Sequence, residues 1–204
     1  VHQPHRLHEP SSLTSIGSYA FANCFTLASV SPFPASVTNI GIGTFAACPV
    51  GAFSVDPANA FYFAEGGVLF QKNPFVLVQY PGGQPGAYSI PDGVTKIGAF
   101  SFEGLQVMTH LTVPASVSGM GDGAFGYACD LTNLLFLGNA PVAPTDAFSG
   151  NHCTGHALPT VYYLGGHHGL GCDTWGRSGD TAGSECRDGN RQRGERPCGR
   201  RNNR

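Results

Sequence analysis

The sequence predicts a repeat solenoid: a β-rich stack of short strands and short helical or turn segments, with one β-hairpin insert. Three observations carry that reading. An apolar-Gly-x-x-x-Phe motif recurs four times along the chain. Gly (29) and Pro (15) are abundant while charged residues make up only 12%, against a usual share of about 25%. Apolar residues also alternate in the segment that follows each motif, as they do on a strand with one buried face.

The motif occurs at Ile16-Gly17 to Phe21, Ile40-Gly41 to Phe45, Ile97-Gly98 to Phe102 and Met120-Gly121 to Phe125. The step from Ile16 to Ile40 and the step from Ile97 to Met120 are nearly equal. The step from Ile40 to Ile97 is more than twice as long, so an insert separates the second and third copies. Upstream of three copies lies a proline-led turn: Pro34 to Thr38, Pro91 to Thr95 and Pro114 to Ser118. Downstream come apolar strands at Leu27 to Val30, Met108 to Val113 and Leu131 to Leu137, with Gly51 to Val55 filling that slot in the second copy.

This spacing has a physical reading. The glycine after each Ile suits a tight bend or a close backbone approach. The Phe that closes each motif turns inward and stacks on the Phe of the next coil. One coil cannot bury its own apolar face, but stacked coils bury each other's. The expected repeat core is therefore Ile16, Phe21, Ile40, Phe45, Ile97, Phe102, Met120 and Phe125. Each buried Phe contributes about 1.5–3 kcal/mol by area.

These residues resemble the BspA-type leucine-rich repeat. Its unit reads Leu-x-x-Val-x-Ile-Pro-x-x-Val-x-x-Ile-Gly-x-x-Ala-Phe-x-x-Cys. Tyr19 to Cys24 and Thr44 to Cys48 match its most specific stretch. The insert is similar to one seen in that family: Asp56-Pro57-Ala58-Asn59, then Gly66 to Phe70, then Val78 to Pro81. The resemblance covers about residues 11–164, with the insert at about 56–88. Two places depart from it. Val30 to Pro34 carries one residue too many, and Tyr127-Ala128-Cys129 is shifted by one.

Composition changes sharply at the ends. Residues 11–164 hold two basic residues, Lys72 and Lys96, and seven acidic ones; from Gly165 onward there are eight Arg, no Lys and one aromatic, Trp175. Such a tail cannot build a core, and disorder is expected over 165–204. Related bacterial proteins are similar up to Tyr163-Leu164 and continue with Gly-Thr-Thr-Gly-Trp-Gly. The codons for Gly166 to Gly171, read one base later, can spell that stretch. The tail is therefore expected to be an out-of-frame translation, which a single-base slip near codon 165 of the source DNA would establish. Residues 1–10 read as a partial repeat or a disordered end, and with Val1 in place of Met the chain reads as a fragment or processed product.

Chemical motifs are weak by comparison. His2, His5 and His8, and Cys153 with His152 and His156, have metal-like spacing, but they sit at the ends or in a poorly matching loop, so no metal site is expected. Cys24, Cys48 and Cys129 recur with the repeat and are expected as buried free thiols. Pairing among Cys153, Cys172, Cys186 and Cys198 is not deducible. The glycine runs at Gly41 to Gly43 and Gly119 to Gly123 lack the context of a phosphate loop. The acids Asp56, Glu65, Asp92, Glu103, Asp122, Asp130 and Asp146 are scattered over turns, so no catalytic residues and no cofactor are expected. A net charge of -2 gives no basis for a nucleic-acid partner, and no apolar run reaches the roughly 20 residues of a membrane span.

A stacked solenoid offers an extended surface to a protein or glycan. The outward strand residues expected to carry contacts are Ser29, Ser54, His110, Thr112, Asn133 and Leu135. The family resemblance implies a secreted or cell-surface location and adhesion, here by a monomer. The alternative is a structural spacer within a larger surface protein or enzyme.

Overall fold

The computed structural model describes residues 6–7, 12–139, 141–144, 146–150, 159–163 and 187–188. Each coil passes through a strand, a proline-led turn, a second short strand and a run of turns, and then repeats. The first strand position is filled by β1 (Arg6–Leu7), β3 (Ser29–Val30), β8 (Gly86–Ser89), β10 (Met108–Val113), β12 (Asn133–Phe136), β13 (Thr160–Tyr163) and β14 (Arg187–Asp188). The second is filled by β2 (Ser15–Ile16), β4 (Asn39–Ile40), β9 (Lys96–Ile97) and β11 (Gly119–Met120). Every pairing among these strands is parallel. Parallel neighbours need a crossover between them, and here the rest of the coil supplies it. The result is a β-solenoid of about six turns. The segments left open as helical or turn are turns, and no described residue lies in a helix.

The insert holds the expected β-hairpin and adds a third strand to it. It contributes β5 (Tyr62–Glu65), β6 (Val68–Gln71) and β7 (Val76–Gln79), an antiparallel three-stranded meander. Gly66 and Gly67 both have positive φ (58° and 83°), as a two-residue hairpin turn requires. β7 then pairs in parallel with β9, Leu77 opposite Ile97, so the meander merges into the second strand row.

Asn59 holds the entry to the insert. Its side chain is almost wholly buried (1% exposed). Its Nδ2 donates to the carbonyls of Pro34 and Val37, both at 2.9 Å. Its Oδ1 accepts from the backbone N–H groups of Phe61 and Tyr62, both at 2.8 Å. Lys72 Nζ caps its carbonyl at 2.6 Å. One side chain therefore satisfies two donors and two acceptors where two coils and the meander meet. Tyr62 then continues the junction, its hydroxyl accepting the Ile40 N–H at 2.9 Å.

The expected Phe column forms. Phe21 stacks on Phe45 with centroids 5.3 Å apart, and Phe102 on Phe125 at 5.2 Å. Two further rings extend it: Tyr80 of the insert stacks on Phe102 at 5.4 Å, and Phe148 stacks on Phe125 at 5.0 Å. Phe148 marks an additional copy, one coil length after Phe125, in which Ala143-Pro144 replaces the apolar-Gly pair and Val142 bridges to Gly119. All eight expected core residues point inward; Phe21, in the first Phe coil, is half-buried while Phe45, Phe102 and Phe125 are buried.

The motif glycine answers to close approach. A Cβ on Gly41 would collide with the backbone of Gly17 and Ser18, and one on Gly121 with the backbone of Ala99. Gly17, in the first such coil, meets nothing within 4 Å among the described residues. Gly41→Ala should therefore lower the denaturation midpoint markedly while Gly17→Ala leaves it nearly unchanged. A chemical denaturation series on the two variants reads the contrast directly.

A second rule governs the turn edge. The third residue past the motif Ile has positive φ in successive coils: Tyr19 (57°), Gly43 (60°), Phe100 (58°) and Gly123 (56°). That backbone geometry aims a side chain along the stack. The ring of Tyr19 covers Gly43 and the ring of Phe100 covers Gly123, where any Cβ would strike the ring. An aromatic residue in one coil thus requires glycine in the next.

Candidate binding surface

One regular face of the solenoid is the wholly parallel five-stranded sheet β8-β10-β12-β13-β14. Alternation on these strands sends Leu111, Leu134 and Val161 into the core. The intervening residues point out and fall into register across strands. One row runs Ala87, His110, Asn133, Thr160; the next runs Ser89, Thr112, Leu135, Tyr162. With strands about 4.8 Å apart, four of them present a face roughly 15 Å wide. His110, Ala87 and Ser89 are exposed, and Thr112, Asn133, Leu135, Thr160 and Tyr162 are partly exposed.

Across β8, β10, β12 and β13 these two rows contain no acidic or basic residue besides His110. His110 Nδ1 lies 2.8 Å from the Thr109 hydroxyl, and that hydroxyl donates to the Gly86 carbonyl at 3.3 Å. The Thr132 hydroxyl repeats the pattern one strand on, donating to the Thr109 carbonyl at 2.9 Å. Hydroxyl-to-carbonyl bonds of this kind tie successive coils together and stiffen the sheet beneath the outward rows.

Four of the six residues expected from sequence are thus brought together: His110 opposite Asn133 and Thr112 opposite Leu135. Ser29 and Ser54 lie elsewhere. Ser29 is on β3, and Ser54 precedes Val55, which bridges to Phe33. The meander tip stands between them and β8: Gly67 O accepts the Phe53 N–H at 2.8 Å, and Gln84 Nε2 donates to Gly66 O at 3.0 Å. The register between these two coils is constant: the Gly51 N–H bonds the Ala28 carbonyl, which sets Gly51 opposite Ser29, and Val55 bridges Phe33, which sets Ser54 opposite Pro32, so Ser29 and Ser54 share no row. Thr160 and Tyr162 were missed because the link from Asn133 to Thr160 is longer than the other coils and hides the period. Ala87 and Ser89 stand one coil length before His110 and Thr112; the insert masked that relation.

The cysteine expectation needs correction. Cys48 is buried and free, but Cys24 is exposed, and Cys129 is disulfide-bonded. The one-residue shift explains Cys129: Ala128 occupies the buried column at 3% exposure, so Cys129 faces away from it. Cys24 sits in the first Phe coil, and its place at that end of the column leaves it open.

No three His, Cys, Asp or Glu residues come together as metal ligands among the described residues. Burial raises the Glu103 carboxyl above its usual range. The Gly119 to Gly123 run packs against Ala99 and Phe100, which accounts for its glycines. His2, His5, His8, His152, Cys153, His156, Cys172, Cys186 and Cys198, the tail arginines other than Arg187, and the frame-shift reading lie outside the described residues. Among the described residues, no helix is long and apolar enough to cross a membrane.

Parallel coils of nearly constant length, an inward Phe column and a backbone-contact glycine define a leucine-rich-repeat solenoid. The chain belongs to the BspA-type leucine-rich repeat family, which matches it in six copies over residues 5–63 and 86–163. The break between these ranges falls on the meander and the chain leading to β8. Two solved structures share the fold. A leucine rich cell surface protein from Faecalibacterium prausnitzii is 21% identical with a TM-score of 0.58, over 77% of this chain and 53% of that one. A leucine-rich repeat protein from Eubacterium ventriosum is 22% identical with a TM-score of 0.54, over 78% of this chain and 48% of that one. The chain therefore spans about half the length of these proteins. No curated protein is detectably similar in sequence.

Proposed function

We propose that this chain is a non-catalytic binding module of a secreted or cell-surface protein, and that it recognises a protein or glycan through the outward rows of β8, β10, β12 and β13. The observation that carries this reading is the registered face itself. Hydroxyl, amide, imidazole, aliphatic and aromatic groups alternate there on a rigid parallel sheet. Such a surface binds by hydrogen bonds and apolar contact. Being nearly uncharged, it is a poor match for a phosphate backbone. The cell-surface designation of the Faecalibacterium prausnitzii protein supports the location.

The test is a glycan and extracellular-protein array probed with the wild-type chain and with His110→Ala/Thr112→Ala/Asn133→Ala. These outward side chains leave the core untouched, so the variant should fold normally by circular dichroism. Its affinity for the retained ligand should fall tenfold or more, since a few central residues dominate most interfaces. Unchanged affinity in a folded variant would move the site off this face. A spacer role within a larger protein is the second reading; it rests on the chain spanning only about half of its structural relatives, and an array on which nothing is retained would favour it.

A further inference from the structure

Cys24 and Cys48 occupy the same column of consecutive coils. Tyr19, Phe21 and Asn23 donate their N–H groups to Ile42, Thr44 and Ala46, at 3.0, 2.9 and 2.9 Å. In a parallel ladder each N–H bonds the carbonyl just before its register partner. Tyr19, Phe21 and Asn23 therefore face Gly43, Phe45 and Ala47, and the same register aligns Cys24 with Cys48. Stacked backbones lie about 4.8 Å apart, inside the roughly 4.4–6.8 Å Cα separation that a disulfide bridges. The sulfur of Cys48 reaches back to the first coil: Sγ is 2.8 Å from the Phe21 carbonyl oxygen, the same oxygen that accepts the Cys24 N–H at 3.2 Å. The two thiols differ in access, Cys24 being exposed and Cys48 only 4% exposed.

We propose that this pair is a modification site, in which a low-molecular-weight disulfide oxidises Cys24 and Cys48 to a disulfide that staples the first coil to the second. In the first step the Cys24 thiolate attacks one sulfur of oxidised glutathione. The glutathione S–S bond breaks, one glutathione leaves as thiolate, and a mixed disulfide forms on Cys24. In the second step Cys48, having lost its proton to solvent, attacks Cys24 Sγ, and the second glutathione leaves and is protonated. Two protein thiols are oxidised and one glutathione disulfide is reduced to two thiols. Burial pushes the Cys48 thiol up to about 11, which keeps it from reacting directly with the oxidant. Proximity to Cys24 then offsets its low thiolate fraction in the second step. Cys129 does not compete, because it is already disulfide-bonded.

The experiment incubates the full native chain with excess oxidised glutathione, quenches with iodoacetamide and maps peptic peptides by mass spectrometry. In the wild type, Cys24 should be recovered linked to Cys48, at least tenfold over Cys24 carrying glutathione. Cys48→Ala should hold glutathione on Cys24; the column accepts alanine, as Ala128 shows. Cys24→Ser should leave Cys48 as an alkylatable thiol, released only on denaturation. Accumulation of the glutathione adduct on wild-type Cys24, or failure of Cys24 to react, would overturn the assignment. The wild-type map decides the matter even if Cys48→Ala does not fold.

Discussion

Asn59→Ala should destabilise the protein by about 3–5 kcal/mol, since each buried polar group left without a partner costs about 1–3 kcal/mol. The substitution leaves the Val37 carbonyl and the Phe61 and Tyr62 N–H groups without this partner, and takes from the Pro34 carbonyl one of its two donors, the Val37 N–H being the other. Water entering the space recovers part of the loss. Asn59→Asp should not rescue, because its carboxylate keeps the accepting half of the hub but faces two carbonyl oxygens with no donor. Because Tyr62 holds Ile40 through its hydroxyl, the loss should spread to the pairing of β4. Urea denaturation followed by tyrosine fluorescence measures the cost. A change under about 1 kcal/mol, less than one unpaired buried group costs, would mean that the junction is held by something other than Asn59.

Phe102→Ala should cost about as much, roughly 3–5 kcal/mol, through lost burial and the cavity left behind. Phe102 is wholly buried and sandwiched between Tyr80 and Phe125, so neither neighbour can collapse into the space without giving up its own stacking. Phe21→Ala makes the informative contrast. Phe21 is half-buried and, among the described residues, stacks on Phe45 alone. Solenoid stability is close to a sum of coil and neighbour terms, so this end truncation should cost well under half as much and fray the first coil before the rest unfolds. Hydrogen exchange distinguishes the two: Phe21→Ala should speed exchange at Tyr19 and Asn23, whose N–H groups bond the second coil, but leave Leu111 and Leu134 protected. Equal losses at both sites would contradict the layered coupling.

Much of this was legible before any coordinates. The Ile-Gly-x-x-x-Phe spacing placed the core column because a coil of fixed length must return each Phe above the last. The strands at Met108 to Val113 and Leu131 to Leu137 were placed by alternation, the second shortened to Asn133–Phe136. The glycine rule was half-legible: close approach was anticipated, but the dependence of Gly43 on Tyr19 and of Gly123 on Phe100 is a relation between coils that one motif does not contain. The copy at Phe148 was passed over because proline stands where the motif has glycine. The third meander strand was hidden by Asn73-Pro74, which reads as a break. On the surface, His110, Thr112, Asn133 and Leu135 followed from alternation within ordinary coils. Ser29 and Ser54 failed to join them for two reasons the local pattern does not show: the pairing sets Ser29 opposite Gly51 rather than Ser54, and a hairpin tip lies across the face.

The binding face is the central claim, and hydroxyl-radical footprinting tests it most directly. The chain is labelled alone and with whichever arrayed ligand it retains, and side-chain oxidation is quantified residue by residue. Protection is expected at His110, Leu135 and Tyr162, on three adjacent strands. The turn edge carries a rival set of exposed apolar groups in Tyr19, Ile42 and Tyr127, at 47%, 53% and 54% exposure. Protection there, with His110, Leu135 and Tyr162 oxidised as in the free chain, would contradict the assignment and place recognition on the turn edge.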